Sequence, residues 1–259
     1  SVTIGVPRLP HISNFTDLEP LARSPGVRVE YLPLDAGLEG IDGLVLPGTK
    51  NTVDDRLALE DSGFDATLKQ FRGPIVGICG GYQLLGERIT NASIESTRDE
   101  FPRSTAHPTG KADAVDGLGL LPVETRFEPE KRVRQVTLEV TGVGPIAGAS
   151  GTASGYEIHM GRTEPIARVD GDVLDRPLGP DSAATESVLG TYLHGIFENP
   201  GVREAFLESV FDHAEVDRPD QPTTSHSPYD AAAALVEAID ESWLSERLGQ
   251  VRRATEADR

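Results

Sequence analysis

The segment GPIVGICGGYQLLG, residues 73–86, carries the clearest structural signal in the chain. Its apolar run at residues 74–78 predicts a buried strand, and the apolar periodicity of residues 82–89 predicts a helix directly after it. Gly77 and Gly81 stand two residues before and after Cys79, so that strand and helix can approach each other closely at this point. The pattern predicts a tight strand-to-helix turn in an α/β sheet.

The same alternation of apolar runs and helical segments extends towards the N-terminus. Strands separated by helices favour βαβ units and therefore a parallel sheet. After residue 118 the runs follow one another without intervening helices, which favours an antiparallel component. We predict an α/β fold with a mostly parallel central sheet flanked by helices, flavodoxin-like, with an antiparallel extension. The predicted strands are residues 2–6, 27–32, 43–46, 74–78, 120–125, 133–140 and 188–193, and the predicted helices are residues 15–23, 54–59, 64–71, 82–89, 202–211 and 229–248.

The domain organisation follows from composition. Residues 1–215 are predicted to form one domain, in which the polar, aperiodic segment 91–116 is an insertion. Residues 216–228 are rich in Pro and Ser and are expected to be a linker, and residues 229–259 form a C-terminal helix and tail packed on the same domain. Because the chain begins at Ser1 rather than Met, we expect it to be a fragment or a processed product.

Composition excludes several classes of function. The formal net charge is −18 and no basic patch is present, so neither nucleic acid nor an anionic membrane is an expected partner. No apolar run is long enough to span a bilayer, and no signal segment is present, so we expect a cytoplasmic protein. The single cysteine and the histidine spacing predict no disulfide and no metal site. An acidic surface with few lysines indicates a halophilic source.

Cys79 is the candidate nucleophile. The predicted turn lifts it above the carboxyl end of the sheet, and the N-terminus of the following helix would favour its thiolate form. The backbone N–H of Gly80 would then be placed to stabilise an oxyanion. The alternative is that Cys79 is only a small buried apolar residue at the end of a strand.

A thiol nucleophile needs a base, and His194 is the first candidate. It follows an apolar run in GTYLHGIF, residues 190–197, so that a parallel strand would bring it to the same sheet edge as Cys79. His159 competes for this role, although its segment alternates apolar and polar residues as an edge strand does.

The turn PGTKNT, residues 47–52, follows the third predicted strand. Ligands of open α/β sheets bind beyond the carboxyl ends of the strands, and the N–H of Gly48 could complete an oxyanion hole there. An ordinary strand-to-helix turn is the alternative. No phosphate-binding loop of the type GxxxxGK[ST] occurs, so this chain is not expected to bind ATP in that way.

Together these segments resemble the glutamine amidotransferase domain of cobyric acid synthases, a branch of the class I, triad-type amidotransferases. The strand-to-helix turn around Cys79, called the elbow below, is shared by many enzyme families. The motifs LPHISNFTD and GYEIHMGRT are specific to this branch. The matching stretches are residues 8–17, 47–52, 77–86, 117–125, 155–163, 190–197 and 227–236.

The resemblance implies a role for each matching position. Cys79 attacks the side-chain amide of glutamine, and His194 takes and returns protons. Gly48 and Gly80 bind the oxyanion through their N–H groups, and Gln83 helps to hold the glutamine. Three further residues match a family motif as accessory positions without an assigned role: Tyr156, Glu157 and His159.

One position departs from the broader class. Many triad amidotransferases carry Glu two residues after the catalytic His, where this chain has Ile196. Either the third member is absent or another carboxylate replaces it, and Glu198 and Glu157 are the candidates. A weakly oriented His194 would give slow intrinsic glutaminase activity.

The family also implies partners. In the family, the complete enzyme has an N-terminal synthetase domain that uses Mg-ATP and binds the corrin substrate. This domain amidates side chains b, d, e and g of adenosylcobyrinic a,c-diamide with ammonia from the glutaminase site. Two alternatives stay open: an amidotransferase of the cobyrinic a,c-diamide synthase type, and a catalytically degenerate interaction module.

Overall fold

The computed structural model describes residues 1–96, 113–166 and 174–219 of the 259. Residues 1–219 belong to one compact unit. The strands are β1 (Val2–Pro7), β2 (Val27–Leu32), β3 (Gly43–Leu46), β4 (Ile75–Ile78), β5 (Arg88–Thr90), β6 (Ala114–Asp116), β7 (Val123–Thr141), β8 (Ser150–Pro165), β9 (Ser182–Ala184) and β10 (Val188–Thr191), and the α-helices are α1 (Glu19–Ala22), α2 (Thr52–Ser62), α3 (Phe64–Gln70), α4 (Gly80–Leu85) and α5 (Pro200–His213).

The central sheet has the strand order β2-β1-β3-β4-β10-β9. All neighbours in it are parallel except β9, which runs antiparallel to β10 at the edge. Every residue of β1, β3, β4 and β10 is buried, as is typical of the strands of a parallel sheet that is covered on both faces. The predicted α/β fold class is therefore confirmed.

A second, four-stranded sheet has the order β6-β5-β7-β8 and forms the antiparallel extension. Its main part is a long hairpin in which β7 pairs with β8 from Val123↔Pro165 to Thr141↔Ser150, with an irregularity between Phe127 and Arg132. The predicted strand 133–140 is only part of β7. Polar residues alternate along this hairpin, because much of it is exposed on one face.

The structure differs from the prediction after the elbow. The helix predicted over residues 82–89 ends at Leu85, because Gly86 adopts an extended conformation with ψ 175°. Arg88–Thr90 instead forms β5, which pairs with both β6 and β7. The apolar residues of this segment therefore belong first to a helix and then to a strand.

The predicted insertion 91–116 also differs at both ends. Ala92–Ile94 forms a 3-10 helix and Ala114–Asp116 forms β6, which joins the second sheet. Residues 97–112 of that segment, the end of the predicted linker, and the predicted C-terminal helix and tail 229–259 lie outside the described residues.

The parallel order places four chain segments at one edge of the central sheet. They follow β1, β3, β4 and β10, which are neighbours in the order β1-β3-β4-β10. The carboxyl ends of parallel strands meet at one edge, so residues distant in sequence come together there. In the part of the chain that is described, none of the helices has the length and apolar character needed to cross a membrane.

The turn between β4 and α4 requires glycine at position 81, two residues after Cys79. A Cβ atom on Gly81 would lie 2.6 Å from the carbonyl carbon of Leu46 and 2.9 Å from the carbonyl oxygen of Pro47, both in the backbone. Backbone atoms at the end of β3 cannot move away without disturbing the sheet. The first turn of α4 therefore packs directly on β3.

We expect Gly81→Ala to lower the free energy of unfolding by about 3 kcal/mol, because the added methyl overpacks a rigid contact. Gly201→Ala is the matched control, since a Cβ there meets only the Ser150 carbonyl at 3.6 Å and alanine favours the helix α5. Urea unfolding of both variants measures the difference. Equal stabilities would contradict the packing described here.

Candidate active site

Cys79 lies at the elbow between β4 and α4, in a strained backbone conformation. Its φ of 53° and ψ of −109° are unusual for a residue with a side chain, and such conformations cost about 1–3 kcal/mol. Its N–H donates to the Thr191 carbonyl at 2.8 Å, which fixes the turn to the end of β10. The thiol donates to the Ile158 carbonyl of β8 at 3.4 Å. These two hydrogen bonds hold the strained residue, and its sulfur, at the sheet edge.

His194 follows β10 and is completely buried. Its Nδ1 lies 2.7 Å from Oδ2 of Asp17, and the other carboxylate oxygen of Asp17 accepts the N–H of Gly195 at 2.8 Å. The ring of Tyr156 stacks on the imidazole at a centroid distance of 5.0 Å. The tyrosine fixes the plane of the ring, and the carboxylate fixes the direction of its Nδ1.

The electrostatics of His194 favour its charged form. Burial lowers the pKa, but the hydrogen bonds to Asp17 and Cys79 and the charges of these two groups outweigh it and raise the pKa from 6.5 to about 9. Because the folded-state value is raised, the stability that this pairing contributes is complete below pH 6.5 and is lost as the pH rises through about 9. The site is therefore arranged to hold an imidazolium beside Cys79.

The carboxylate partner of His194 is not one that sequence analysis named. Glu198 forms an ion pair with Arg23 at 3.6 Å, and Glu157 forms one with Arg134 at 2.6 Å. Neither contacts the imidazole in the structure, so the prediction that Glu198 or Glu157 is the third member of the triad is wrong. One signal could have identified Asp17: it is the only carboxylate in the branch-specific stretch 8–17, which follows β1 at the same sheet edge.

The two positions predicted for the oxyanion hole, Gly48 and Gly80, lie beside Cys79 and His194. Gly48 follows β3, and a Cβ on it would lie 3.1 Å from Cε1 of His194. Gly80 is the first residue of α4, and a Cβ on it would lie 3.0 Å from the backbone nitrogen of Thr49. The turns after β3 and β4 are therefore in contact, with Cys79 next to them. Oxyanion binding by their N–H groups stays a prediction.

Gln83 lies one turn beyond Cys79 on α4, and both ends of its side chain are bound. Its Nε2 donates to the Tyr192 hydroxyl at 3.2 Å, and its Oε1 accepts from the Thr52 hydroxyl at 2.8 Å. The side chain is buried and lines the cavity next to Cys79. The structure fixes its position, and its role in holding glutamine stays a prediction.

The three accessory positions of the family motif have different surroundings. Tyr156 stacks on His194 and exchanges backbone hydrogen bonds with it at 2.8 and 3.3 Å. Glu157 is buried and faces Arg134, which also binds Asp181 at 2.6 Å. This ion-pair group joins β7 and β8 to the segment before β9.

His159 is also buried, but its position does not suit a base for Cys79. Its Nδ1 lies 2.6 Å from the Gly161 carbonyl, and its ring stacks on Tyr192 at 3.8 Å. Burial lowers its pKa, which favours the neutral imidazole. Of the two histidines, only His194 has a carboxylate hydrogen-bonded to its ring.

A cavity of about 300 Å³ opens beside Cys79. Its walls include Gln83, Thr52, Glu95 and Lys131. Within the described ranges no group of three His, Cys, Asp or Glu side chains is arranged to hold a metal ion. The arrangement can perform nucleophilic attack by a thiolate, with an imidazole to move protons and backbone N–H groups near a developing negative charge.

Comparison with known proteins assigns a family to this geometry. The family model for the CobB/CobQ-like glutamine amidotransferase domain matches residues 3–202. A probable cobyric acid synthase of Halobacterium salinarum is 55% identical over 239 residues, which cover 92% of this chain and 44% of that protein. A probable cobyric acid synthase of Methanosarcina mazei is 40% identical, over 96% of this chain and 48% of that protein. The chain thus spans about half the length of these relatives.

Solved structures share the fold. A glutamine amidotransferase structure superposes with a TM-score of 0.54 at 20% identity and covers 80% of this chain and 98% of that one. A putative GMP synthase protein of Thermoplasma acidophilum gives a TM-score of 0.51 at 18% identity, over 83% and 96% of the two chains.

The similarity to a Halobacterium protein agrees with the halophilic source that the acidic composition indicates.

We expect Asp17→Asn to lower the pKa of His194 from about 9 towards or below its ordinary value of 6.5, because the amide carries no charge while burial still disfavours the imidazolium. Titration of the imidazole by NMR measures this. Glu198→Gln is the matched control and should leave the pKa unchanged, because Glu198 pairs with Arg23. A larger shift in the control than in Asp17→Asn would contradict the assignment.

Proposed function

The chain belongs to the CobB/CobQ-like glutamine amidotransferase domain family, and we propose that it hydrolyses glutamine to supply ammonia for the amidation performed by a cobyric acid synthase. The membership bears out the resemblance found in the sequence motifs. The single observation that carries the proposal for the site is the position of Cys79 at the elbow, beside a buried His194 that is hydrogen-bonded to Asp17.

In the first half of the reaction, the Cys79 thiolate attacks the side-chain amide carbon of glutamine. The carbonyl oxygen becomes an oxyanion next to the N–H groups of Gly48 and Gly80. The imidazolium of His194 gives its proton to the amide nitrogen, the C–N bond breaks, and ammonia leaves. A γ-glutamyl thioester on Cys79 remains.

In the second half, neutral His194 takes a proton from water as the water attacks the thioester. The C–S bond breaks, glutamate leaves, and the thiolate and imidazolium are restored. Asp17 stabilises the imidazolium in both halves and keeps its proton-bearing Nδ1 turned away from Cys79. This carboxylate removes the reason for considering a degenerate site, which was the apolar residue Ile196.

We propose that the amidation itself takes place in the part of the relatives' length that this chain does not span, since the chain covers 44% of the halobacterial relative. We propose that an ATP-dependent N-terminal half activates corrin carboxylates and that the acceptor is adenosylcobyrinic a,c-diamide, at side chains b, d, e and g. The same proposal assigns Mg-ATP to that half. A cytoplasmic location is part of the same proposal, since ATP and glutamine are both supplied there.

We expect Cys79→Ala to abolish glutamine hydrolysis and glutamine-dependent amidation by the full-length protein, because no second nucleophile is available at the elbow. Exogenous ammonium should still support amidation, since the synthetase half does not use Cys79. The measurement is amide formation with each nitrogen source. Retained glutamine-dependent activity would disprove the role of Cys79.

The acceptor is tested separately in the same assay. Full-length wild-type protein is offered adenosylcobyrinic a,c-diamide or the corrin that lacks these two amides. We expect the a,c-diamide to be consumed. Consumption of the unamidated corrin alone would identify a cobyrinic a,c-diamide synthase type of enzyme.

We expect Asp17→Asn to lower kcat for glutamine hydrolysis by about 100- to 10,000-fold, as loss of the carboxylate does in other triads. Glu198→Gln should stay within about twofold of wild type, because its ion pair with Arg23 is exposed. Steady-state glutaminase assays at neutral pH compare the two. If Glu198→Gln were the slower variant, Asp17 would not be the third member.

A further inference from the structure

Asp55 of α2 is a completely buried carboxylate that the reaction described above does not use. One of its oxygens, Oδ2, accepts a hydrogen bond from the Thr49 hydroxyl. The other, Oδ1, accepts the backbone N–H of His11 at 3.1 Å and lies 2.8 Å from Nδ1 of the His11 ring. A single carboxylate therefore joins the turn after β3 to the loop after β1.

The same turn and loop are also paired through their backbones. The Ser13 N–H donates to the Gly48 carbonyl at 2.8 Å, and the Lys50 N–H donates to the His11 carbonyl at 3.0 Å. These two hydrogen bonds form a short antiparallel bridge on either side of Thr49. The buried carboxylate thus reinforces a bridge that fixes the backbone of the turn.

The bridge determines which way the N–H of Thr49 points. The peptide between Gly48 and Thr49 is trans, so its N–H points away from its carbonyl, which is bound to the loop after β1. The Thr49 nitrogen lies 3.0 Å from the position that a Cβ on Gly80 would take, and Thr49 lines the cavity beside Cys79. This side of the turn therefore faces the start of α4, next to the nucleophile.

The Thr49 side chain is held by two hydrogen bonds. Its hydroxyl donates to Asp55 and accepts the N–H of Asn51 at 3.1 Å. Because a hydroxyl has only one proton, these two partners together fix its rotation. Asn51 is the N-cap of α2, and its side chain accepts the Asp54 N–H at 3.0 Å. The orientation of the turn is thereby tied to the first turn of α2.

Resting on the proposed function, we propose that Asp55 is a positioning residue for glutamine hydrolysis. Through the Thr49 hydroxyl and the His11 backbone, it holds the turn after β3 so that the N–H groups of the turn face the oxyanion that forms at Cys79. The negative charge on the glutamine oxygen develops only as the thiolate attacks. A misplaced turn therefore weakens the transition state much more than the binding of glutamine.

The chemistry of a carboxylate suits this role. Hydrogen bonds that end on a carboxylate are charge-assisted and stronger than those between neutral groups. Asparagine has nearly the same shape, but an NH2 group replaces one oxygen and cannot accept either the Thr49 hydroxyl proton or the His11 N–H. Asp55→Asn therefore breaks one of the two connections without leaving a cavity.

A general structural role for Asp55 must be distinguished from positioning of the turn. The readout is a comparison of two reactions of the Cys79 thiolate in the full-length protein. Glutamine hydrolysis passes through an oxyanion, whereas alkylation by iodoacetamide displaces iodide at a saturated carbon and forms none. Mass spectrometry of the peptide that contains Cys79 follows the alkylation rate, which reports only the thiolate and its accessibility.

We expect Asp55→Asn to lower kcat for glutamine hydrolysis about 10- to 100-fold, and to leave KM and the alkylation rate within about threefold of wild type. Thr49→Val should have the same effect, because it removes the hydroxyl and keeps the shape. Thr49→Ser, which keeps the hydroxyl, should recover most of the lost rate. The double variant should be no slower than the slower single variant, since both changes remove the same contact.

Asp42→Asn is the matched control. Its carboxylate also accepts a backbone N–H, that of Thr3 at 2.7 Å. Asp42 directly precedes β3, however, so it lies at the amino end of the strand and not at the edge that carries Cys79. Asp42→Asn should lower the thermal stability without lowering kcat.

The outcomes separate this inference from the proposed function. A parallel fall of hydrolysis and alkylation in Asp55→Asn would overturn the positioning role and leave Asp55 a purely structural residue. An unchanged kcat in Thr49→Val would overturn it too, and this comparison with Thr49→Ser decides the matter if Asp55→Asn does not fold. If the wild-type protein hydrolysed no glutamine at all, the proposed function itself would fail.

Discussion

The contact between Asp17 and His194 is the constraint on which the site depends. Asp17 follows β1 and His194 follows β10, and β3 and β4 lie between these strands in the sheet. One carboxylate binds both the imidazole and the adjacent backbone N–H, at 2.7 and 2.8 Å. It therefore fixes the distance across four strand ends. Gly48 and Cys79, which follow β3 and β4, lie within that span.

A second set of contacts holds the loop that carries Asp17. Asp55 on α2 is fully buried and accepts hydrogen bonds from the backbone N–H of His11 and from the Thr49 hydroxyl, and its carboxylate also contacts the His11 ring at 2.8 Å. Burial raises the pKa of Asp55, and the hydrogen bonds with Thr49 and His11 oppose that rise. The loop after β1 and the turn after β3 are thus attached to the same helix, which limits how far Asp17 can move.

The sequence predicts those parts of the site that depend on local geometry. Glycines around Cys79 can be recognised because a tight turn needs them, and the position of His194 follows from a parallel strand that ends at the same edge. Local geometry does not place Asp17, because its contact joins residues 177 positions apart and depends on the order of the strands; the only signal for it was its place in the branch-specific stretch 8–17. The sequence analysis also missed the change from α4 to β5, because a short apolar segment fits both the helical and the strand periodicity.

The residue at position 196 shows why the carboxylate comes from another strand. Gly195 has a φ of 75°, and the chain then enters the 3-10 helix Ile196–Glu198. Ile196 is completely buried in the apolar core. A carboxylate at this position would be desolvated among apolar side chains, at a cost that only a charged partner could offset. In this structure the third member reaches His194 from the loop after β1, because the strand order brings Asp17 within hydrogen-bonding distance of the imidazole.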